Sequence, residues 1–483
     1  QKSVRGKYMI TRAEYEQKIK EHIDNNMPKV LSDKWRSKYH IMAPIGWIND
    51  PNGLCQFNDE YHVFYQYSPL EAKGGMKFWG HFVSKDLVHF QERDIAIYPD
   101  VKEDKDGVYS GSAFVKDDTM YFFYTGNVKH DGEHDYILTG REQNVILVTS
   151  KDGIEFSEKK ILLRNSDFPE NMSLHVRDPK VWEEDGTYYM VLGARGKDDK
   201  GYVLLYKSSD LYNWTLHSVP AGGEENMGYM WECPDLFYVD GKTVFMFSPQ
   251  GLKADGFKYN NVYQSGYAFG NFVNDKKELK LGNFVEVDRG FDFYAPQTFE
   301  DAKGRRIMIG WMGVPDAIEH KNPTVENYWQ HQLTLPRELK IINNKLYQLP
   351  LKELETLRKD LIESKVDLDN NNVLNVIDRN TFELRIDLEE CSKFSMKLRE
   401  DCVVSFTEGT FKLIQGNSGY GRDERAAYIS DLRSIDIFSD NSSMEIFIND
   451  GEEVFTTRVY NESLDSDIIL SGKGTAVIKR WNI

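Results

Sequence analysis

Between His40 and Trp311 the hydrophobic positions fall in short runs rich in Tyr, Phe, Val, Ile and Met, separated by Asp, Gly and Lys. Runs of that length, bounded by turn residues, predict strands, and no helical period competes with them. The runs also repeat. The segment 50–65 has counterparts at 111–124, 178–191, 233–247 and 295–310, each a strand, a polar turn and a second strand. Pro179, Pro234 and Pro296 stand 55 and 62 residues apart. A period near 60 suits a four-stranded propeller blade with long loops, and five copies predict five blades around one axis. A β-sandwich with chance likeness between hairpins is the competing reading of the periodicity alone.

The flanks have other periods. Thr11 and Glu14 form the two ends of a capping box, and Tyr15, Ile19 and Ile23 follow at four-residue spacing, which predicts a helical N-terminal extension over 1–39. The propeller is expected over 40–349. Pro350 then opens a short helical linker, 350–360, in which Leu351, Leu354 and Leu357 share a face. Alternation returns over 361–483, as in Phe382–Leu388 and Ser443–Ile448, with Asn449, Asp450 and Gly451 as a tight turn. Those features predict a β-sandwich, and an all-β chain overall.

Charge narrows the ligand class. The 483 residues carry 60 Lys and Arg against 77 Asp and Glu, a net charge of −17. Such a field repels nucleic acid and anionic membranes and suits a small neutral or locally steered ligand. No window approaches the roughly 18 to 20 apolar residues of a membrane span. The start, Gln1 to Tyr15, is polar and basic without an apolar signal core, so a cytoplasmic protein is expected. Cys55, Cys233, Cys391 and Cys402 form no CxxC pair, and the eleven His show no metal-ligand spacing, so no cofactor or metal is expected. Nothing in the pattern fixes an oligomeric state.

Three acids open copies of the repeat: Asp50 after Asn49, Asp178 after Arg177, and Glu232 after Trp231. Singly, such residues most often open turns. Three in register, at positions that a propeller gathers at its axis, predict one pocket with several carboxylates. Two carboxylates flanking a glycosidic bond, one a nucleophile and one a proton donor, are the equipment of a retaining glycosidase.

The motifs that carry these acids resemble those of a known family. They are His40 to Gly53, Phe64-Tyr65-Gln66, Trp79-Gly80-His81, Tyr109 to Ser112, Phe123 to Gly126, Arg177-Asp178-Pro179, Glu232 to Asp235, Phe293 to Gln297 and Leu335 to Leu339. In this order they are similar to glycoside hydrolase family 32, which holds invertases, sucrose-6-phosphate hydrolases, inulinases and levanases. The resemblance implies a five-bladed propeller followed by a β-sandwich, and a β-fructofuranosidase acting by double displacement on sucrose or sucrose 6-phosphate. It implies Asp50 as nucleophile, Glu232 as general acid/base, and Asp178 as the carboxylate that holds fructose hydroxyls. It also places Asn49, Gln66, Trp79, Ser110, Arg177, Tyr294 and Trp311 at the substrate.

This chemistry needs an ionised Asp50 and a protonated Glu232, and Arg177 beside Asp178 is expected to keep Asp178 ionised. The segment Gly74 to His81 resembles the form found in sucrose-6-phosphate hydrolases, with Gly75 and Phe78 as departures. A phosphate on the glucose side calls for a cation, and Lys73, Lys77 and Arg195 are the candidates. An exo-acting hydrolase of short fructans is the alternative activity. A carbohydrate-binding propeller without turnover is the alternative from another class, and fructose release from sucrose separates it from both enzymes.

Overall fold

The computed structural model of the chain describes residues 8–275, 277–375, 378, 380–463 and 467–483. The first seven residues of the expected N-terminal extension therefore lie outside the described residues. Within it a helix runs Arg12–Leu31, with the capping box of Thr11 and Glu14 formed in both directions. Its buried stripe of Tyr15 and Ile19 packs on blade 1, where Tyr15 meets Phe78 edge-on with ring centroids 5.0 Å apart.

Five antiparallel sheets follow, each beginning with its axial strand: Gly46–Phe57, Val108–Lys116, Met172–Glu184, Met230–Val239 and Tyr294–Glu300. These first strands touch in cyclic order, blade 1 to blade 5 and back to blade 1. That closure makes the five sheets a propeller, in which each blade keeps an outer edge strand while its faces pack on its neighbours. At the seam, Trp329–Gln330, an insertion within blade 5, pairs in parallel with Gly46 and Trp47 of blade 1. Gln297 joins three blades at the axis, accepting from the Leu54 amide at 3.1 Å and donating to the Gly111 carbonyl at 2.9 Å.

A short 3-10 helix, Lys352–Leu357, leads out of the propeller with Leu351 and Leu354 buried, while Pro350 ends the preceding strand instead of opening the helix. The C-terminal module is built on a long strand pair, Phe382–Leu398 with Ile468–Asn482. One edge of Phe382–Leu398 pairs with Ser434–Asp440 before an irregularity between Glu389 and Lys393 and with Cys402–Thr407 after it. The two groups of strands close on one apolar core that includes Leu384, Phe394, Val404, Ile437 and Phe455.

The sandwich meets the propeller through buried charge. Arg337 reaches Glu445 at 2.9 Å and Asp288 at 3.2 Å, and Arg422 bonds Asp292 through two nitrogens at 2.6 and 2.8 Å. His40 lies between Asp440 and Glu445, with each ring nitrogen at 2.7 Å. Burial pulls its pKa down, but bonds to the two carboxylates outweigh burial and raise it to about 9.

Candidate active site

Every axial strand carries an irregularity in nearly the same place: the pairing register slips just before Pro51 and Gly111 in blades 1 and 2, and across Pro179, Pro234 and Pro296 in blades 3 to 5. A regular strand turns successive side chains to opposite faces, whereas a bulge can aim two neighbours the same way. Two rings result. The residues immediately before these five positions are Asp50, Ser110, Asp178, Cys233 and Ala295, and the residues before those are Asn49, Tyr109, Arg177, Glu232 and Tyr294. Asp178, Cys233 and Ala295 hold φ of 66°, 50° and 50°, conformations that cost a non-glycine residue about 1 to 3 kcal/mol.

The three acids are therefore not in one register, as the sequence pattern suggested. Asp50 and Asp178 share the inner ring, while Glu232 stands one residue earlier, in the ring of Arg177 and Tyr294. Its aligned place is taken by Cys233. The bulge is what lets both rings face the axis, where Asp50, Asp178 and Glu232 line one cavity of about 450 Å³.

The hydrogen bonds separate the acids. Asp50 accepts from the Ser110 hydroxyl at 2.6 Å and from the Asn49 amide at 3.0 Å, and Asn49 is itself oriented by the Trp47 indole N–H at 2.8 Å. Burial raises the pKa of Asp50, these two bonds work against the rise, and the charge of Glu232 adds to it. Glu232 accepts from Arg177 Nε at 3.0 Å and Nη2 at 2.8 Å, from Gln250 at 2.8 Å and from the Tyr294 hydroxyl at 2.6 Å. Asp178 accepts from the Cys233 amide at 2.9 Å.

The guanidinium of Arg177 thus goes to Glu232 and not to its chain neighbour, against expectation. Consecutive residues belong to different rings, and the Arg177 side chain reaches along its own ring. Burial and the charge of Glu232 lift Asp178 to about 7, although Arg177 pulls the other way.

Of the remaining expected residues, Asn49, Gln66, Ser110, Arg177, Tyr294 and Trp311 line the same cavity. Trp79 does not. It is fully buried between blades 1 and 2, donates to the Tyr109 carbonyl at 3.1 Å and packs with Phe64 and Tyr124. It supports the wall without reaching the cavity. Trp47, Lys77, Tyr109, Arg141, His175, Gln250 and Asp316 line the cavity as well. Gln250 had a readable signal, since it ends the second strand of blade 4 as Trp311 ends that of blade 5. Arg141 and Asp316 stand outside the repeated segments.

The three phosphate candidates part company here. Lys77 lines the cavity, donates to Ser68 at 3.0 Å and lies over the Trp47 ring; burial lowers it to about 8 against the opposing charge of Asp50. Lys73 is exposed and lines an adjoining hollow. Arg195 is held to Asp199 at 2.8 and 3.0 Å and is not part of the lining.

Residues 40–350 match the glycosyl hydrolases family 32 N-terminal domain, and residues 353–483 match the family's C-terminal domain. The chain belongs to glycoside hydrolase family 32. This family-32 chain is 42% identical to a sucrose-6-phosphate hydrolase of Bacillus subtilis over 466 residues, 94% of this chain and 95% of that protein. Another such hydrolase, from Escherichia coli, is 37% identical, covering 91% and 93%. The structure of sucrose-6-phosphate hydrolase from Lactobacillus gasseri superposes with a TM-score of 0.86 at 28% identity, covering 98% of each chain. A mutant of a Bombyx mori GH32 β-fructofuranosidase in complex with sucrose superposes at 0.83 with 30% identity, also covering 98% of each. The family-32 chain has no helix, among the described residues, that is long and apolar enough to cross a membrane.

Proposed function

We propose that this family-32 chain is a retaining β-fructofuranosidase that hydrolyses the fructosyl bond of sucrose or sucrose 6-phosphate by double displacement. The observation that carries the reading is the unequal support of two acids in one cavity. Asp50 is held by two small neutral donors, and Glu232 by a guanidinium, an amide and a phenol.

Asp50 attacks C2 of the fructosyl unit while the bond to the leaving oxygen breaks and that oxygen takes a proton from Glu232. The glucose unit departs, leaving a fructosyl ester on Asp50. Glu232, now a carboxylate, takes a proton from water as the water oxygen attacks C2. The ester breaks, Asp50 is restored, and one water is consumed with retention at C2. Asp178, on the inner ring with Asp50, hydrogen-bonds fructose hydroxyls and opposes the positive charge that grows on the ring. Tyr294, Gln250 and Arg177 fix the rotamer of Glu232 so that it serves both steps.

The activities of the Bacillus and Lactobacillus proteins, and the sucrose held by the Bombyx enzyme, support the choice of substrate. Incubation of the purified chain with sucrose and with sucrose 6-phosphate is expected to release fructose. Release from neither would overturn the reading.

A further inference from the structure

We infer that Arg141 is a specificity residue of this site, binding the phosphate of a 6-phosphorylated leaving sugar on the cavity wall between blades 2 and 3. This rests on the fructosidase reading above and adds to it which cation recognises the anionic substrate.

Arg141 begins the third strand of blade 2, Arg141–Ser150, and lines the cavity that holds the acids. Its bonds go to neutral oxygens: the Tyr136 carbonyl at 3.0 Å and the Asn127 side chain at 2.7 Å. Among the described residues it has no ion-pair partner, although it is only 9% exposed. A desolvated guanidinium without a carboxylate is costly, and an arriving anion would offset that cost in charge-assisted bonds. Burial and the charge of Arg177 both lower its pKa, which reflects the same surplus of positive charge. Lys129 is its cross-strand partner, and its ammonium lies over the ring of Tyr136, whose carbonyl Arg141 holds. With no carboxylate bound to it, the Arg141 guanidinium offers a phosphomonoester a planar, charge-assisted contact.

The wall is also the correct one. The leaving sugar must lie on the side of the proton donor, Glu232, and Arg177, which holds Glu232, is the cation whose charge acts on Arg141. Lys77 belongs to the other side, because the charges acting on it are those of Asp50 and Glu71. Its position serves the nucleophile. Arg195 already has Asp199.

The test is kcat/KM for sucrose 6-phosphate and for sucrose, measured at low salt on the wild type, Arg141→Gln, Arg141→Lys and Lys77→Met. The wild type is expected to favour the phosphorylated substrate. Arg141→Gln should lower the ratio of the two kcat/KM values by about 10-fold or more, the scale of one charge-assisted contact, with Arg141→Lys between. Inhibition by glucose 6-phosphate should weaken in parallel. A wild-type ratio near one, a ratio in Arg141→Gln within twofold of wild type, or a collapse confined to Lys77→Met would overturn the assignment. Failure of the fructosidase reading itself would look different, as no fructose from either substrate with the wild type.

Discussion

Arg177 and Glu232, 55 residues apart in the chain, are joined by two guanidinium nitrogens on one carboxylate oxygen, at 3.0 and 2.8 Å. The pair ties the axial strand of blade 3 to that of blade 4, and leaves Asp178 with the nearby charge of Arg177 but no hydrogen bond from it. A planar guanidinium fixes the carboxylate in orientation as well as charge. Arg177→Lys keeps the charge and loses the geometry. It is expected to lower kcat by about 10²-fold or more, with a smaller change in KM, because a slight misplacement of the reacting groups is felt chiefly in the chemical step. An unchanged kcat would show that the pair has no part in positioning Glu232.

The pH dependence of activity follows from Asp178. Burial and Glu232 lift it to about 7, so near neutrality the acid trio still holds a proton, and that proton is lost as pH rises through about 7. Deprotonation adds the charge of Asp178 to the cavity that also holds Asp50. The ionisation of Asp50, raised above the ordinary aspartate value, sets the acidic limb. A pH profile of kcat/KM should be bell-shaped, falling through about 7 on its basic side. Activity that climbs steadily beyond about pH 8 would contradict this.

Trp79 offers a test of support as opposed to contact. It is fully buried and bonds the Tyr109 carbonyl, so Trp79→Phe removes volume and one bond from the packing of blades 1 and 2. A loss of about 2 to 4 kcal/mol in unfolding free energy is expected, with KM for sucrose shifted less than stability. Denaturant titration beside Michaelis kinetics distinguishes this from direct substrate contact, which would raise KM at near-native stability.

The buried His40 makes stability depend on alkaline pH. Its folded pKa of about 9 lies above the ordinary 6.5, so its contribution is complete below about 6.5 and is lost as pH rises through about 9. His40→Gln leaves Asp440 and Glu445, two buried carboxylates on the sandwich side of the junction, without the charge between them and should cost about 3 to 5 kcal/mol near neutrality. Its Tm should also lose the alkaline decline of the wild type. A variant whose Tm falls in parallel with the wild type between about pH 7 and 10 would place that sensitivity elsewhere.

The blades were legible because each copy of the repeat keeps the same strand, turn and strand, and the N-terminal helix because Thr11 and Glu14 mark its start. The inner ring was legible too, since Asp50 and Asp178 directly precede the prolines that mark the copies. The offset of Glu232, two residues before Pro234, stands in the sequence, but that both rings face the cavity was hidden, because it depends on a bulge that the alternation of side chains does not encode. The partner of Arg177 was hidden for the same reason: neighbours in sequence occupy different rings. Trp79 was assigned to the substrate by its motif, yet that motif serves the packing of blade 1 on blade 2. Arg141 escaped because it belongs to a third strand, outside the repeated hairpins.

That Asp50 carries the fructosyl group is the central claim, and trapping the ester tests it most directly. In Glu232→Gln, an activated fructoside whose leaving group needs no proton should complete the first displacement, while the second lacks its base. Mass spectrometry of the digested protein is expected to find one fructosyl unit on the peptide containing Asp50. An adduct on Asp178, or no adduct together with fructose of inverted configuration, would contradict the double displacement at this residue.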